Sequence, residues 1–205
     1  MFNPIFISGP HGGGKTTLIN NLQQSCSDLF IENDFDIDLF LRFPNFKNLN
    51  SFEKCLIKLY HRYIQYEYII HQPTQTAGKT TLVSRSIYDA IAYIETYKEL
   101  NIISNDDYSF LASVYKNIKV CPYVIILNPD VDVIAHRLKK RRLTREREER
   151  DTVFAYEDTL EFLEIMHRNF YEMKKYNNVK YITDNDKKSM KEIIDWVTSM
   201  NKTLL

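Results

Sequence analysis

A glycine-rich segment near the N-terminus carries the clearest chemistry in this 205-residue sequence. It reads Gly9-Pro-His-Gly-Gly-Gly-Lys-Thr16 and fits the pattern G-x-x-x-x-G-K-[ST]. Glycines let consecutive main-chain N–H groups turn toward one phosphate, because no side chain blocks the approach. The lysine reaches β- and γ-phosphates, and the threonine hydroxyl is a ligand for Mg²⁺. We therefore predict that ATP and Mg²⁺ bind at a loop made of Gly9, His11, Gly12, Gly13, Gly14, Lys15, Thr16 and Thr17.

A basic run is the second feature with chemical meaning. Residues 136–150 hold eight Lys or Arg against three Glu, although Lys+Arg and Asp+Glu balance at 27 each in the whole chain. A single basic run in a neutral protein suits a small polyanion better than a long phosphate backbone. We therefore expect no nucleic-acid partner. The opposite bias lies at residues 28–38, which carry five acids and no Lys or Arg.

Strand-like and helix-like patterns alternate along the chain and must position these residues. Short apolar runs predict strands at 4–8, 29–31, 81–83, 122–127 and 179–182. Helical patterns cover 15–27, 52–70, 87–99, 106–118, 156–173 and 187–200, and Asn128-Pro129 is predicted to open one more helix. This alternation predicts an α/β fold whose parallel sheet is covered by helices on both faces.

Composition narrows the class of protein. With 44% hydrophobic and 26% charged residues, the chain is typical of a globular protein, and its length predicts a single domain over residues 1–205. No apolar run approaches the roughly 18–20 residues that span a bilayer. The N-terminus lacks the features of a signal peptide. Three widely spaced cysteines suggest reduced thiols, so we expect a cytoplasmic protein without a membrane partner.

Beyond the loop, the chain resembles the P-loop nucleotide kinases, particularly thymidylate kinase and its deoxynucleoside kinase cousins. Ser84-Arg85-Ser86 is similar to the family strand that ends in Asp-Arg-Tyr, and Ala92-Tyr93 follows at the spacing of the family's Ala-Tyr-Gln. Further similarity lies at 158–171 and 181–184. The resemblance implies a three-layer α/β/α P-loop kinase fold with a five-stranded parallel sheet of order 2-3-1-4-5. It also implies a helical lid at about residues 137–152.

The same resemblance assigns roles to individual residues. It implies a catalytic set of Lys15, Arg85, Glu32, Arg137 and Arg141, with Arg142, Arg145 and Arg147 on the lid. It implies an acceptor site made of Glu32, Arg62, Tyr63, Tyr66, Arg85 and Asp89. Glu32 resembles the carboxylate that begins the Glu-Pro motif of both cousins, and Asp34 and Asp36 are its rivals for that role.

Departures from the family pattern concern mainly the acceptor. His11 stands where thymidylate kinases carry an acid that contacts the acceptor sugar. It therefore either contacts a hydroxyl or phosphate of the acceptor or only packs in the loop. Ser84 replaces the acid before Arg85, which leaves Thr16, Ser84, phosphates and water for Mg²⁺. Tyr63 matches the helix arginine that binds the thymidylate phosphate. Arg62 is one position away, a rotation of about 100° on a helix.

Three functions follow as hypotheses. The main one is a nucleoside monophosphate kinase that transfers the γ-phosphate of ATP-Mg to a small, thymidylate-like nucleotide. The alternative is a deoxynucleoside kinase that phosphorylates a 5′-hydroxyl with Glu32 as base. The third is a non-catalytic nucleotide-binding module. The expected partner is a small nucleotide or nucleoside, and relatives suggest a possible homodimer.

Overall fold

Five short strands form one parallel sheet in the order β2-β3-β1-β4-β5. The computed structural model describes residues 4–33, 45–71, 79–118, 122–144 and 152–203. The strands are β1 (Ile5–Ser8), β2 (Phe30–Asn33), β3 (Thr80–Ser84), β4 (Tyr123–Leu127) and β5 (Val179–Ile182). The helices are α1 (Lys15–Ser25), α2 (Ser51–His71), α3 (Ile87–Glu99), α4 (Asn105–Asn117), α5 (Val131–Thr144), α6 (Leu160–Glu172) and α7 (Lys187–Thr203). The predicted P-loop kinase fold with sheet order 2-3-1-4-5 is confirmed.

Both faces of the sheet are buried, because successive side chains of a strand point to opposite faces. On one face, Phe6, Val83 and Val124 join a core completed by α2, α3, α4 and α6. On the other face, Ile5 and Leu82 pack with α1 and α7. The sheet is therefore the middle of three layers. Within the described ranges, no helix has both the length and the hydropathy needed to cross a bilayer.

The helix predicted to open at Asn128-Pro129 begins later, at Val131. Asn128 is fully buried, and its side-chain amide donates to the main-chain oxygen of His167 at 2.9 Å and to the Tyr181 hydroxyl at 3.0 Å. The prediction that the helix opens at Asn128-Pro129 is therefore wrong. The side-chain NH₂ group of Asn128 instead joins the end of β4 to α6 and β5, and hydrogen bonds of this kind stabilise a buried donor.

The helix predicted over 156–173 is also divided at its start. Residues Ala155–Asp158 form one turn of 3₁₀ helix, and α6 begins at Leu160 after Thr159 caps it by accepting from the Phe162 N–H at 3.3 Å. Hydroxyl side chains stabilise helix starts in this way. The break matters because it leaves the residue before Thr159, Asp158, outside the helix and in contact with the glycine-rich loop at His11.

Candidate active site

The glycine-rich segment forms a tight loop between the end of β1 and the start of α1. Gly9, Gly12 and Gly14 have φ values of 141°, 76° and 97°, in a region of backbone conformation that residues other than glycine avoid. A Cβ atom on Gly9 would lie 2.1 Å from the main-chain oxygen of Leu127, on the neighbouring strand β4. The backbone path therefore requires these glycines, as a loop that wraps a phosphate does.

Lys15 closes the loop as the first residue of α1. Its side chain is buried, and its ammonium donates to the main-chain oxygens of Gly9 at 2.6 Å and Pro10 at 2.9 Å. Thr16 and Thr17 follow on the exposed first turn of the helix. The residue before the helix is a glycine, which has no side chain to cap the first amides. A helix start with uncapped amides and a lysine ammonium is suited to binding an anion.

Arg85 lies directly beyond β3, the strand beside β1. Its N–H donates to the main-chain oxygen of Ile7 at 2.8 Å, and its φ of 67° is left-handed. This conformation costs an ordinary residue about 1–2 kcal/mol, and such strain concentrates at functional sites. The residue as a whole is half-buried at the carboxyl edge of the sheet. The structure thus brings Arg85 to the edge where the loop begins, and its predicted catalytic role stays a prediction.

Asp89 joins the start of α3 to the loop. Its carboxylate accepts from the Ser86 N–H at 2.8 Å and from the Gly9 N–H at 3.4 Å. The Ser86 hydroxyl in turn lies 2.7 Å from that of Ser8, the last residue of β1. Both oxygens of this buried acid therefore hold main-chain groups in place. Its predicted contact with an acceptor stays a prediction.

The long helix α2 turns part of its predicted acceptor residues toward the sheet. The Arg62 guanidinium donates to Gln65 at 2.9 Å, and the Gln65 amide donates to the main-chain oxygen of Ser84 at 3.1 Å. Tyr66 packs on β1, whereas Tyr63 faces a groove between α2 and α4. The structure therefore turns Arg62 and Tyr66 toward the sheet, whereas Tyr63 lines the groove toward α4.

His11, in the middle of the loop, is held through both of its ring nitrogens. Nδ1 lies 2.7 Å from the Tyr93 hydroxyl, and Nε2 lies 2.9 Å from a carboxylate oxygen of Asp158. The other oxygen of Asp158 forms an ion pair with Arg142 at 3.0 Å. The sequence did not identify Tyr93 and Asp158 as site residues. They lie 82 and 147 positions from His11, too far for any local spacing to reveal.

Helix α5 contributes arginines to the same loop. Arg137 donates from Nη1 to the main-chain oxygen of Gly13 at 2.8 Å. Arg141, one turn later, has its Nε and Nη2 atoms shielded from solvent. Arg145 and Arg147, predicted for the tip of the lid, lie outside the described residues. The described part of the predicted lid thus starts in contact with the phosphate loop.

Glu32 lies on the edge strand β2, next to β3, where its Cα pairs with that of Leu82. Its side chain is exposed, and β2 extends one residue beyond it. Its predicted rivals Asp34 and Asp36 lie outside the described residues. In this register Glu32 is level with the middle of β3 and lies three residues before the level of Arg85, so its predicted role as base stays a prediction.

A buried polar cluster behind the loop was not predicted. The Tyr97 hydroxyl donates to Glu157 at 2.5 Å, and the Lys58 ammonium lies 3.4 Å from the same carboxylate oxygen. Burial, and then the charge of Glu157, raises the pKa of Tyr97 well above its usual value. Burial likewise raises the pKa of the Cys55 thiol to about 12. These groups are all neutral or paired, so the cluster joins α2 and α3 to the turn before α6.

Mg²⁺ would find few protein ligands here. The described ranges contain no group of three or more His, Cys, Asp or Glu residues arranged to hold a metal. Thr16 offers a hard hydroxyl oxygen on the exposed first turn of α1, the kind of donor that Mg²⁺ takes together with phosphates and water. This donor set fits a magnesium ion that arrives with a triphosphate.

Comparisons with known proteins agree with this geometry. A family model described as deoxynucleoside kinase matches residues 5–204. A solved deoxyadenosine kinase from M. mycoides, with the products dCMP and a flexible dCDP bound, is 19% identical with a TM-score of 0.69, over 96% of this chain and 99% of that one. The same organism's enzyme with bound dATP is 20% identical with a TM-score of 0.66, over 95% and 99%. The deoxyadenosine kinase of the same organism with bound dCTP is 18% identical with a TM-score of 0.64, over 97% of this chain and 100% of that one. None of the curated proteins matches.

Proposed function

Because the chain belongs to the deoxynucleoside kinase family, and is therefore a phosphotransferase, we propose that it transfers the γ-phosphoryl group of ATP to the 5′-hydroxyl of a deoxynucleoside. The observation that carries this proposal is the meeting of two features at one sheet edge. The glycine loop closed by Lys15 ends β1, and the strained Arg85 ends β3 beside it. One feature suits a triphosphate, and the other suits the group in transfer.

On the ATP side, the loop amides and Lys15 hold the β- and γ-phosphates. As the phosphoryl group moves, negative charge spreads over its oxygens, so positively charged groups in fixed positions lower the barrier. Arg85 supplies such a charge, and Arg137 and Arg141 supply others from α5. Mg²⁺, held through Thr16 and the phosphates, neutralises part of the triphosphate charge when bound.

On the acceptor side, Glu32 takes the proton of the 5′-hydroxyl. The hydroxyl oxygen then forms its bond to the γ-phosphorus while the bond to the β–γ bridging oxygen breaks, and ADP leaves. A neutral hydroxyl benefits from such a base, whereas a nucleotide acceptor already carries an anionic oxygen. Glu32 is exposed, one residue before the described end of β2, so a substrate can reach it.

A thymidylate-like nucleotide, our main expectation from the sequence, is now the second candidate acceptor. The family match favours the nucleoside over the nucleotide. One observation is nevertheless consistent with a nucleotide acceptor. Arg62 is buried on α2, and it reaches the end of β3 through Gln65. A cation at this position is compatible with an acceptor that carries a phosphate.

The test is phosphorylated product from a panel of deoxynucleosides and their monophosphates, incubated with ATP and Mg²⁺. Since the related deoxyadenosine kinases bind dCMP, dATP and dCTP, deoxyadenosine and deoxycytidine head the panel. We expect a new monophosphate from at least one deoxynucleoside, and none from a Lys15→Met variant. Product only from monophosphates would support the second candidate, and no product from any acceptor would refute both.

Replacing Glu32 by Gln tests its role as base. The variant keeps the shape of the side chain and loses its basicity, so we expect the turnover number with a deoxynucleoside to fall by about 10²–10⁴-fold. Asp28→Asn, another exposed acid just before β2, is the matched control and should leave turnover unchanged. If the Glu32→Gln variant kept the turnover number of the parent enzyme, Glu32 would not be the base.

A further inference from the structure

The imidazole of His11 anchors the middle of the glycine-rich loop to parts of the fold outside it. Of the residues between β1 and α1, four are glycines, and three of these have positive φ. Glycine loses more conformational freedom on ordering than any other residue. His11 is only 4% exposed, and both of its ring nitrogens have partners outside the loop. Its side chain therefore restricts a backbone that is intrinsically permissive.

The hydrogen-bond directions follow from the partners. Asp158 forms an ion pair with Arg142, so it is an ionised carboxylate and only accepts. Nε2 of His11 must then carry a proton and donate it to Asp158 at 2.9 Å. In the neutral ring, Nδ1 accepts from the Tyr93 hydroxyl at 2.7 Å. One orientation of the imidazole satisfies both contacts.

These contacts join three parts of the fold to the loop. Tyr93 belongs to α3, Arg142 lies near the end of α5, and Asp158 ends the 3₁₀ turn before α6. The side chains of His11 and Asp158 are each 3% exposed, so little water competes for the hydrogen bond between them. Arg137 of α5 also donates to the loop, at Gly13. Helix α5 is therefore coupled to the loop twice, once directly and once through Asp158 and His11.

We propose that His11 is a positioning residue that holds the loop amides ready for the triphosphate, and that Asp158 orients it. The proposal rests on the proposed function for its kinetic consequences. A loop that is already ordered loses less entropy when ATP binds, so the contact contributes to ATP affinity. By linkage, bound ATP must strengthen the contact between His11 and Asp158 as much as the contact strengthens ATP binding. The placement of Arg142 thus depends on the occupancy of the loop.

Replacing His11 by Asn or by Gln tests the two hydrogen bonds of its imidazole separately. Asn places a polar atom near the position of Nδ1, and Gln near that of Nε2. His11→Asn therefore keeps a partner for Tyr93, and His11→Gln keeps one for Asp158. His11→Ala and Asp158→Ala remove the contact from either side, alone and together. His71→Gln is the matched control, since His71 also faces a carboxylate, that of Glu67, on an exposed part of α2.

We expect His11→Ala and Asp158→Ala each to raise the KM for ATP and its calorimetric Kd by about tenfold, the scale of one hydrogen bond to a charged group. His11→Gln should recover most of this loss, and His11→Asn less. The KM for the deoxynucleoside should stay within about twofold of the parent value, which a general loss of structure would not predict. The double alanine variant should be no worse than either single variant, because both lose the same contact.

Several results would overturn the proposal. One is an ATP Kd for His11→Ala equal to that of the parent and of His71→Gln. Another is a double variant whose two effects multiply, since that would mean that His11 and Asp158 act independently. Calorimetry with ATP alone keeps this test separate from the proposed function. If the parent binds ATP but phosphorylates no nucleoside, the function fails, and the ATP Kd values still decide the role of His11.

Discussion

Single residues at the loop and at the end of β3 adopt backbone conformations that most side chains avoid. At Gly9 the reason is steric, because the main-chain oxygen of Leu127 occupies the space of a Cβ atom. At Arg85 the left-handed conformation is strained, and its N–H bond to Ile7 helps to hold it. The two positions lie on neighbouring strands. The strained conformation of Arg85 thus lies where the proposed phosphoryl transfer takes place, as is common at functional sites.

Gly9→Ala tests this steric requirement. The new methyl group would lie 2.1 Å from a main-chain oxygen that cannot move without disturbing β4, and φ is 141°. We expect the free energy of unfolding, measured by urea titration, to fall by more than about 3 kcal/mol. At Gly12, with φ of 76°, the nearest atoms belong to the flexible Leu138 side chain at 3.0 Å. Gly12→Ala should therefore cost only about 1–2 kcal/mol, and equal losses would contradict the argument.

At the scale of the elements, the start of α3 is tied to the loop by its own cap. Ser86 and Asp89 form a reciprocal capping box. The Ser86 side chain accepts from a main-chain N–H of the first helical turn, and the Asp89 side chain accepts from the main-chain N–H of Ser86. Helix α4 begins with the same device, made by Ser104 and Asp107. The two boxes differ in their surroundings. Asp89 is 3% exposed and also accepts from Gly9, whereas the box of α4 is exposed.

This pair of capping boxes offers a matched comparison. Asp107→Ala should lower the free energy of unfolding by about 1 kcal/mol, the usual value of a helix cap. Asp89→Ala should lower it by about 2–4 kcal/mol, because it also leaves the buried N–H of Gly9 without that acceptor. Chemical denaturation of the two variants decides the comparison. Similar losses would show that the contact between Asp89 and Gly9 contributes little.

For the molecule as a whole, buried tyrosines set the response to alkaline pH. Burial is the first cause that raises the pKa of Tyr97, Tyr108, Tyr156 and Tyr181 above the ordinary value of 10.0, and for Tyr156 the value is about 12. Several of these hydroxyls donate across elements, as Tyr97 does to Glu157. The native state therefore keeps protons that the unfolded chain loses above pH 10. Stability is present in full below pH 10 and is lost as the pH rises beyond it.

We therefore expect the free energy of unfolding to decrease steadily above pH 10, with tyrosinate absorbance that appears together with unfolding. Tyr97→Phe removes one of the groups whose pKa differs most between the two states, so it should make this decrease less steep. Tyr176→Phe, at a half-exposed position, is the control and should leave the slope unchanged. A slope that is the same in all three proteins would show that Tyr97 titrates alike in the native and unfolded states.

The phosphate loop was predictable because its chemistry lies in contiguous residues. Gly9 to Lys15 encode the turn, the anion-binding amides and the cation within one segment, and the apolar run before them encodes the strand. The order of the sheet was predictable through the family resemblance. The exact start of α6 was not, because apolar spacing continues through Tyr156 although the backbone there is a 3₁₀ turn.

The sequence by itself determined the class of chemistry, namely a loop for phosphate followed by strands and helices in alternation. Local spacing is enough to predict such features, because the residues that form each of them lie close together in the sequence. Only the tertiary structure decided what His11 and Asp89 contact. Both side chains are held by groups about 80 or more positions away, brought near by the packing of α3 and the turn before α6. Contacts of that kind depend on how elements pack around a shared core, which periodicity and motif spacing do not encode.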